Sequence, residues 1–154
     1  PLARLVTHVE IIPDAAQATA RVHQPDFDPA TTAILESEPD CALPGRESGG
    51  TPALSGAEVA VISEQTDGYW QIQTSSTTPA LLILSETAYP GWRLFVDGEE
   101  QEWQTAYTAV RATCVPAGEH TVEWRYRPRS YTIGGLLSLL GLVLVGIAIL
   151  RLRG

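Results

Sequence analysis

Residues 107–127, which read YTAVRATCVPAGEHTVEWRYR, decide the fold class of this chain. Apolar and polar side chains alternate over residues 120–127, so Val122, Trp124 and Tyr126 point to one side. This period of two is typical of a half-buried strand. Residues 107–115 predict an earlier strand, and the Pro-Ala-Gly sequence that follows turns the chain. The stretch therefore predicts two strands and the turn between them.

Further strands are predicted on the N-terminal side of this stretch. They cover residues 57–65, 69–74, 80–86 and 92–97, and a return strand that holds Trp103 follows the Asp-Gly hairpin signal at 97–98. Residues 80–86 (ALLILSE) form a short continuous apolar run, which fits a strand buried on both faces. Short strands at roughly ten-residue spacing indicate an antiparallel sandwich or barrel. We expect a mainly β fold with an antiparallel β-sandwich over residues 57–130.

The first third of the chain has a different pattern. Residues 5–12 and 32–36 predict strands, and Asp14 is placed to cap a short helix that ends near Val22. Residues 1–37 are therefore predicted to form a small α/β portion of strand, helix and strand. Residues 38–56 are rich in Pro, Gly and Ser, which predicts a surface loop.

The C-terminal part is an apolar run. Residues 133–150 (IGGLLSLLGLVLVGIAIL) carry no charge, and their length matches the roughly 20 residues that cross a bilayer. Arginines flank the run on both sides and can snorkel to the two membrane surfaces. We predict a transmembrane helix over residues 131–151 and a short tail over 152–154; a buried core helix is the alternative.

One face of this helix carries small residues. Gly134, Ser138, Gly141 and Ala148 fall on the same side, together with Val145. Small residues let helix backbones approach closely in lipid, so this face is a candidate for docking against another transmembrane helix. Ordinary use of Gly and Ala in membrane helices explains the same pattern equally well.

Charge excludes one class of function. The chain has 154 residues, a net charge of −8 and ten basic residues, all of them Arg. A nucleic-acid binder needs a cationic footprint, so no nucleic-acid partner is expected. Residues 1–130 hold all 18 acidic residues and eight of the ten arginines.

Cysteines and aromatic residues supply the remaining candidate sites. Cys41 and Cys114 could form a disulfide if the domain is exported, or Cys114 could be a buried thiol on its strand face. Tyr69, Trp70 and Trp103 are candidates for stacking on a sugar, whereas the other two tryptophans share strand faces with apolar residues. No catalytic site, cofactor or metal site is predicted.

Several short motifs resemble the C-terminal end of the YfhO family of bacterial membrane proteins. They are Tyr89-Pro90-Gly91-Trp92, Val96-Asp97-Gly98, Pro116-Ala117-Gly118-Glu119-His120 and Tyr126-Arg127-Pro128. The family is similar to glycosyltransferases that use lipid-linked sugar donors. The resemblance implies an extracytoplasmic β domain tethered by the last helix of a polytopic protein. It carries no catalysis onto these residues, because the family's presumed catalytic loop lies outside this sequence.

The sequence thus predicts a non-catalytic, membrane-anchored β-sandwich module in the bacterial cell membrane. As the accessory extracytoplasmic domain of a glycosyltransferase-like protein, it would contact the bilayer, other transmembrane helices and a glycan or lipid-linked sugar. The alternative is a single-span structural subunit of a larger membrane complex. The count of arginines on the two sides of the span does not decide its orientation. The absence of Met and the start at Pro1 suggest a processed product or a fragment.

Overall fold

The computed structural model describes residues 1–41, 43 and 59–153. The fold is mainly β, with two sheets and one C-terminal apolar helix, as predicted. The elements in chain order are β1 Ala3–Val6, β2 His8–Ile11, α1 Ala15–Val22, β3 Thr32–Leu35, β4 Val59–Thr66, β5 Tyr69–Ser76, β6 Ala80–Thr87, β7 Trp92–Val96, β8 Glu99–Gln101, β9 Gln104–Ala106, β10 Val110–Val115, β11 Gly118–Tyr126 and α2 Arg129–Arg153.

The strands form two sheets that pack face to face. The first sheet has the order β1-β6-β10-β9-β3-β2, and the second has the order β4-β5-β11-β7-β8. Leu82 and Leu84 of the first sheet pack in one core with Trp70 and Trp124 of the second. Every pairing among the described strands is antiparallel except that of β2 with β3. The predicted antiparallel sandwich is confirmed.

Strand β6 is buried on both faces, as its continuous apolar run predicts. Leu82 and Leu84 face the core between the sheets. Leu81 and Ile83 face a second cluster on the outer side of the first sheet, which also contains Leu35. The first sheet is therefore the covered central layer.

The two strands that decided the fold class lie in different sheets. β10 pairs with β6 and β9 in the first sheet, whereas β11 pairs with β5 and β7 in the second. The turn at residues 116–117 therefore carries the chain from one layer to the other. Alternation along a strand shows which side faces the core, but it contains no information about the partner strand.

The N-terminal portion is built into the sandwich. The predicted strand over 5–12 is two strands, because β1 pairs with β6 while β2 pairs in parallel with β3 at the opposite edge. Helix α1 connects β2 to β3, since parallel strands need a crossover. Asp14 caps this helix as predicted, and its Oδ1 accepts a hydrogen bond from Gln17 N at 2.8 Å. Most of the predicted 38–56 loop lies outside the described residues.

A disulfide joins Cys41 to Cys114 across a Cα–Cα distance of 6.0 Å. Both residues pack against the outer cluster of the first sheet. The alternative of a free buried thiol at Cys114 is therefore wrong. The bridge attaches the segment after β3 to the C-terminal end of β10.

Helix α2 is long and apolar enough to cross a membrane. Its segment Arg129–Leu152 has a mean hydropathy of 2.7, and none of it is buried. This exposure contradicts the alternative of a buried core helix.

Candidate functional site

The sandwich meets α2 at one end, which we call the proximal end. It comprises the turns at Gly68 and Gly91, the end of β11 and the first residues of α2. Tyr126 N donates to Gly68 O at 2.7 Å, and Arg127 N donates to Gly91 O at 2.7 Å. The backbone that leads into α2 is thus held from both sides. Gly91 has a φ of +109°, and a Cβ there would lie 2.8 Å from Tyr126 Cε2 and 3.1 Å from Pro128 Cα.

A cleft of about 980 Å³ opens beside this join, and we call it the proximal cleft. Arg93, Arg127 and Arg129 line it, and Glu100 is the acidic residue that lines it. Arg93 donates two hydrogen bonds to Glu100, and this partner holds the pKa of the Glu100 carboxyl below its usual value. Arg127 and Arg129 have no ion pair or side-chain hydrogen bond with any described residue. Two guanidinium groups of the cleft are therefore available to an anion.

A smaller cleft of about 490 Å³ lies on the other side of the join. Arg125 and Arg127 line it together with Tyr69 and Tyr131. The hydroxyl of Tyr69 donates to Glu123 Oε1 at 2.5 Å, and this bond raises the pKa of Tyr69 to about 12. Arg125 also binds Glu123, at 2.7 Å. The tyrosine hydroxyl is therefore engaged, while its ring borders the cleft.

Arg111 lies in the core behind the wall of the proximal cleft. It is fully buried, and its guanidinium stacks between Trp92 at 3.9 Å and Trp124 at 4.9 Å from the ring centres. None of its three side-chain nitrogens has a hydrogen-bond partner among the described residues. Burial lowers the pKa of Arg111 to about 10, so the group is still charged at neutral pH.

Arg111 is not among the candidate residues predicted from the sequence. The signal is present in the period of β10, because Arg111 falls on the side of Thr113 and Val115, opposite to Val110 and Ala112. Val115 packs in the core between the sheets. An arginine at such an inward position, in a domain with several tryptophans, could have been identified as a buried cation.

The wall of the proximal cleft is aromatic. The ring of Trp92 lies 5.2 Å from that of Tyr126 and 6.1 Å from that of Tyr89, and the two tyrosine rings are 5.4 Å apart. The two contacts of Tyr89 are edge-to-face and that of Trp92 with Tyr126 is tilted, and such packing fixes ring orientations. The cleft is therefore lined by packed aromatic rings and by arginine side chains.

The three residues predicted to stack on a sugar are not brought together. Trp70 is only 5% exposed and packs in the core, so a stacking role for it is wrong. Tyr69 borders the smaller cleft. Trp103 is half-buried, and its Nε1 donates to Trp92 O at 3.1 Å. It borders a separate hollow of about 350 Å³ with Glu36 and other acidic residues.

The face of small residues on α2 touches no other described element of the chain. A Cβ at Gly134 or Gly141 would meet no atom within 4 Å outside the helix backbone, and Ser138 and Ala148 are exposed. The face is thus free to meet another helix, and docking there stays a prediction.

No group of three or more metal-binding side chains of His, Cys, Asp or Glu occurs in the described part of the chain. No family model, curated protein or solved structure matches the chain. The resemblance to the YfhO family therefore stays a prediction from the quoted motifs. The arrangement at the proximal end suits the binding of an anionic group, because guanidinium forks match carboxylate and phosphate oxygens.

Proposed function

We propose that this chain is a non-catalytic, membrane-anchored β-sandwich module that α2 holds at the outer surface of a bacterial cell membrane. The observation that carries the proposal is the join between sandwich and helix. β11 passes into an apolar, fully exposed helix through a backbone bound on one side by Gly68 and on the other by Gly91. A domain fixed in this way presents its proximal clefts to the bilayer.

The disulfide supports a location outside the cytoplasm. Disulfides form and persist in oxidising compartments and are rare in the cytosol. Cys41 and Cys114 are bonded, and no free cysteine remains among the described residues. The motif resemblance adds the role, which is an accessory domain of a glycosyltransferase-like membrane protein near a glycan or lipid-linked sugar.

A structural subunit of a larger membrane complex is the second candidate. The exposure of α2 along its whole apolar segment favours it, because the described sandwich covers none of that surface. The face with Gly134 and Gly141 would then contact a helix of another subunit or of the parent protein.

Membrane anchoring and orientation are tested together on the full chain expressed in a bacterium. We expect α2 to keep the protein in the pellet after alkaline extraction, and external protease to digest the sandwich in spheroplasts. Thiol labelling should require prior reduction, because Cys41 and Cys114 are bonded. Release by alkali would contradict anchoring. Digestion only after lysis would place the domain in the cytoplasm.

The docking face is tested by Gly141→Leu with Gly146→Leu as the matched control. Both replace a helical glycine with the same bulky side chain, but Gly146 lies off the small-residue face. Each variant would be isolated from the native membrane in mild detergent. Loss of bound partner subunits in Gly141→Leu alone supports the structural-subunit role. Equal retention in both variants contradicts it.

A further inference from the structure

We propose that the proximal cleft binds the phosphate of an anionic phospholipid headgroup, with the guanidinium groups of Arg127 and Arg129 as its ligands. The inference rests on the proposed anchoring by α2, and it names the partner of that site. It follows from the charge distribution, the place of the cleft and the unpaired state of the two arginines.

The cations of this acidic chain are concentrated at the proximal end. Four of the eight arginines in residues 1–130 line the two clefts there: Arg93, Arg125, Arg127 and Arg129. The rest of the domain is strongly acidic. An anionic membrane surface attracts nearby cations by about 1 kcal/mol each and repels acidic residues within a Debye length. Arg93 and Arg125 are paired with Glu100 and Glu123, so Arg127 and Arg129 supply the attraction of this end to such a surface.

The cleft lies at the depth of lipid headgroups when α2 crosses a bilayer. Its lining combines Arg93 of β7 with Arg129, Ser130 and Thr132 of the first turn of α2. Tyr131, in the same turn of α2, is 77% exposed, which suits the membrane–water interface, where Tyr is enriched. A headgroup phosphate thus reaches the cleft without leaving its leaflet.

The stability of the fold does not explain these arginines. Arg129 is the first residue of α2, where the helix dipole makes a positive charge unfavourable. Arg127 binds no described side chain, although it borders both clefts. Cations beside a span are typical of its cytoplasmic side, so arginines next to an exported domain oppose that preference. Contact with a phosphate accounts for their presence, because charge-assisted bonds to guanidinium are strong.

The test uses the full chain in nanodiscs that contain equal amounts of phosphatidylglycerol and phosphatidylcholine. Native mass spectrometry counts the lipids that stay bound after the disc is removed. We expect phosphatidylglycerol to be enriched in the wild type, and Arg127→Gln or Arg129→Gln to reduce the enrichment by about fivefold each. Arg21→Gln is the control, because it changes the net charge equally on the acidic body, where Arg21 pairs with Glu10.

The outcomes separate this inference from the proposed function. Chains that do not enter nanodiscs contradict both. Incorporation with equal binding of the two lipids, or equal enrichment in all variants, overturns the headgroup site and leaves anchoring intact. Millimolar inorganic phosphate is added in a further arm. Loss of the enrichment there would show a site for free phosphate and overturn the assignment to lipid.

Discussion

Arg111 places a guanidinium where a β-sandwich ordinarily packs aliphatic side chains. Its contacts with Trp92 and Trp124 each contribute about 0.5–2 kcal/mol as cation–π interactions. Against this, each buried donor left without an acceptor costs about 1–3 kcal/mol, and three nitrogens of Arg111 lack one among the described residues. At mid-range values the cost exceeds the gain, so we expect Arg111 to lower the stability of the fold.

We therefore expect Arg111→Met to raise the free energy of unfolding by on the order of 1–3 kcal/mol. Methionine fills a similar volume between the two indole rings without buried donors. Urea unfolding of the full chain in detergent, followed by tryptophan fluorescence, measures the change. Arg111→Ala is the comparison, and it should lower stability because it leaves a cavity. A less stable Arg111→Met would show that the guanidinium stabilises the fold overall.

The pair of Asp97 and His120 makes stability depend on pH. His120 Nδ1 lies 2.6 Å from Asp97 Oδ2, and Thr121 N donates to Asp97 Oδ1 at 2.9 Å. The hydrogen bond to Asp97 raises the pKa of His120. The contribution of His120 to folding stability is therefore full below about pH 6.5 and is lost as pH rises through the raised pKa. The bonds from Thr121 and His120 lower the pKa of Asp97, so its contribution is present above about pH 4 and is lost as pH falls through the lowered value.

We expect Asp97→Asn to lower the melting temperature more at pH 6 than at pH 9. Asparagine tolerates the positive φ of 51° at this turn and keeps an acceptor for Thr121 N, but it removes the charge that binds the imidazolium. At pH 6 the loss of unfolding free energy should be below about 1 kcal/mol, because the Asp97 carboxylate is half exposed. Thermal unfolding of both proteins from pH 5 to 9 measures it, and the other histidines cancel in the comparison. Equal losses at all pH values would contradict the ion pair.

At the scale of elements, the turn at Gly91 is one of the two that hold the join of β11 to α2. Gly91 approaches Tyr126 and Pro128 so closely that a Cβ has no room, and its φ of +109° is strained for any other residue. We expect Gly91→Ala to cost more than 2 kcal/mol, from strain and steric conflict together. Gly98→Ala is the matched control, since Gly98 also has a positive φ of +84° but nothing lies within 4 Å of its Cβ.

The control should therefore lose only about 1 kcal/mol, from backbone strain alone. Thermal unfolding compares the two variants, and near-ultraviolet circular dichroism reports on Trp92 and Tyr126 at the join. The close approach of the turn is contradicted if both variants lose the same stability and keep identical aromatic spectra.

The sequence predicts the existence of individual strands and helices much better than it predicts which of them pack together. The run at 80–86 and the cap at Asp14 are local signals, and both are confirmed. The return strand that holds Trp103 is instead two short strands, β8 and β9, which lie in different sheets on either side of it. Trp70 comes just after the turn at Gly68, yet its side chain is buried at the second position of β5. Pairing and accessibility depend on long-range contacts, which no local period contains.

The proximal end also depends on long-range contacts that the sequence pattern does not show. The arginines at 125, 127 and 129 are visible beside the apolar run, but Arg93 joins them only through the pairing of β7 with β11. The cleft they share is therefore a property of the second sheet and α2 together. The face of small residues on α2, by contrast, is predicted from residue spacing alone, because helix periodicity places Gly134 and Gly141 on one side.

At the scale of the whole molecule, the disulfide constrains both sheets at once. The bridge spans 73 residues, and the loop it closes contains strands β4 to β9, which belong to both layers. In the chain-entropy model a loop of this length stabilises the fold by about 4 kcal/mol. The domain is acidic and gains little from surface ion pairs, so this constraint is a large share of a typical stability of about 5–15 kcal/mol.

We expect the double variant Cys41→Ala, Cys114→Ala to lose about 4 kcal/mol of unfolding free energy, measured by urea unfolding of the full chain in detergent. Dithiothreitol should lower the stability of the wild type by a similar amount and leave the double variant unchanged. A loss below about 1 kcal/mol in the variant, or no effect of reductant on the wild type, would contradict a bridge that holds the two sheets together. Because disulfides form and persist in oxidising compartments and are rare in the cytosol, the same measurement links the stability of the sandwich to its proposed place outside the cytoplasm.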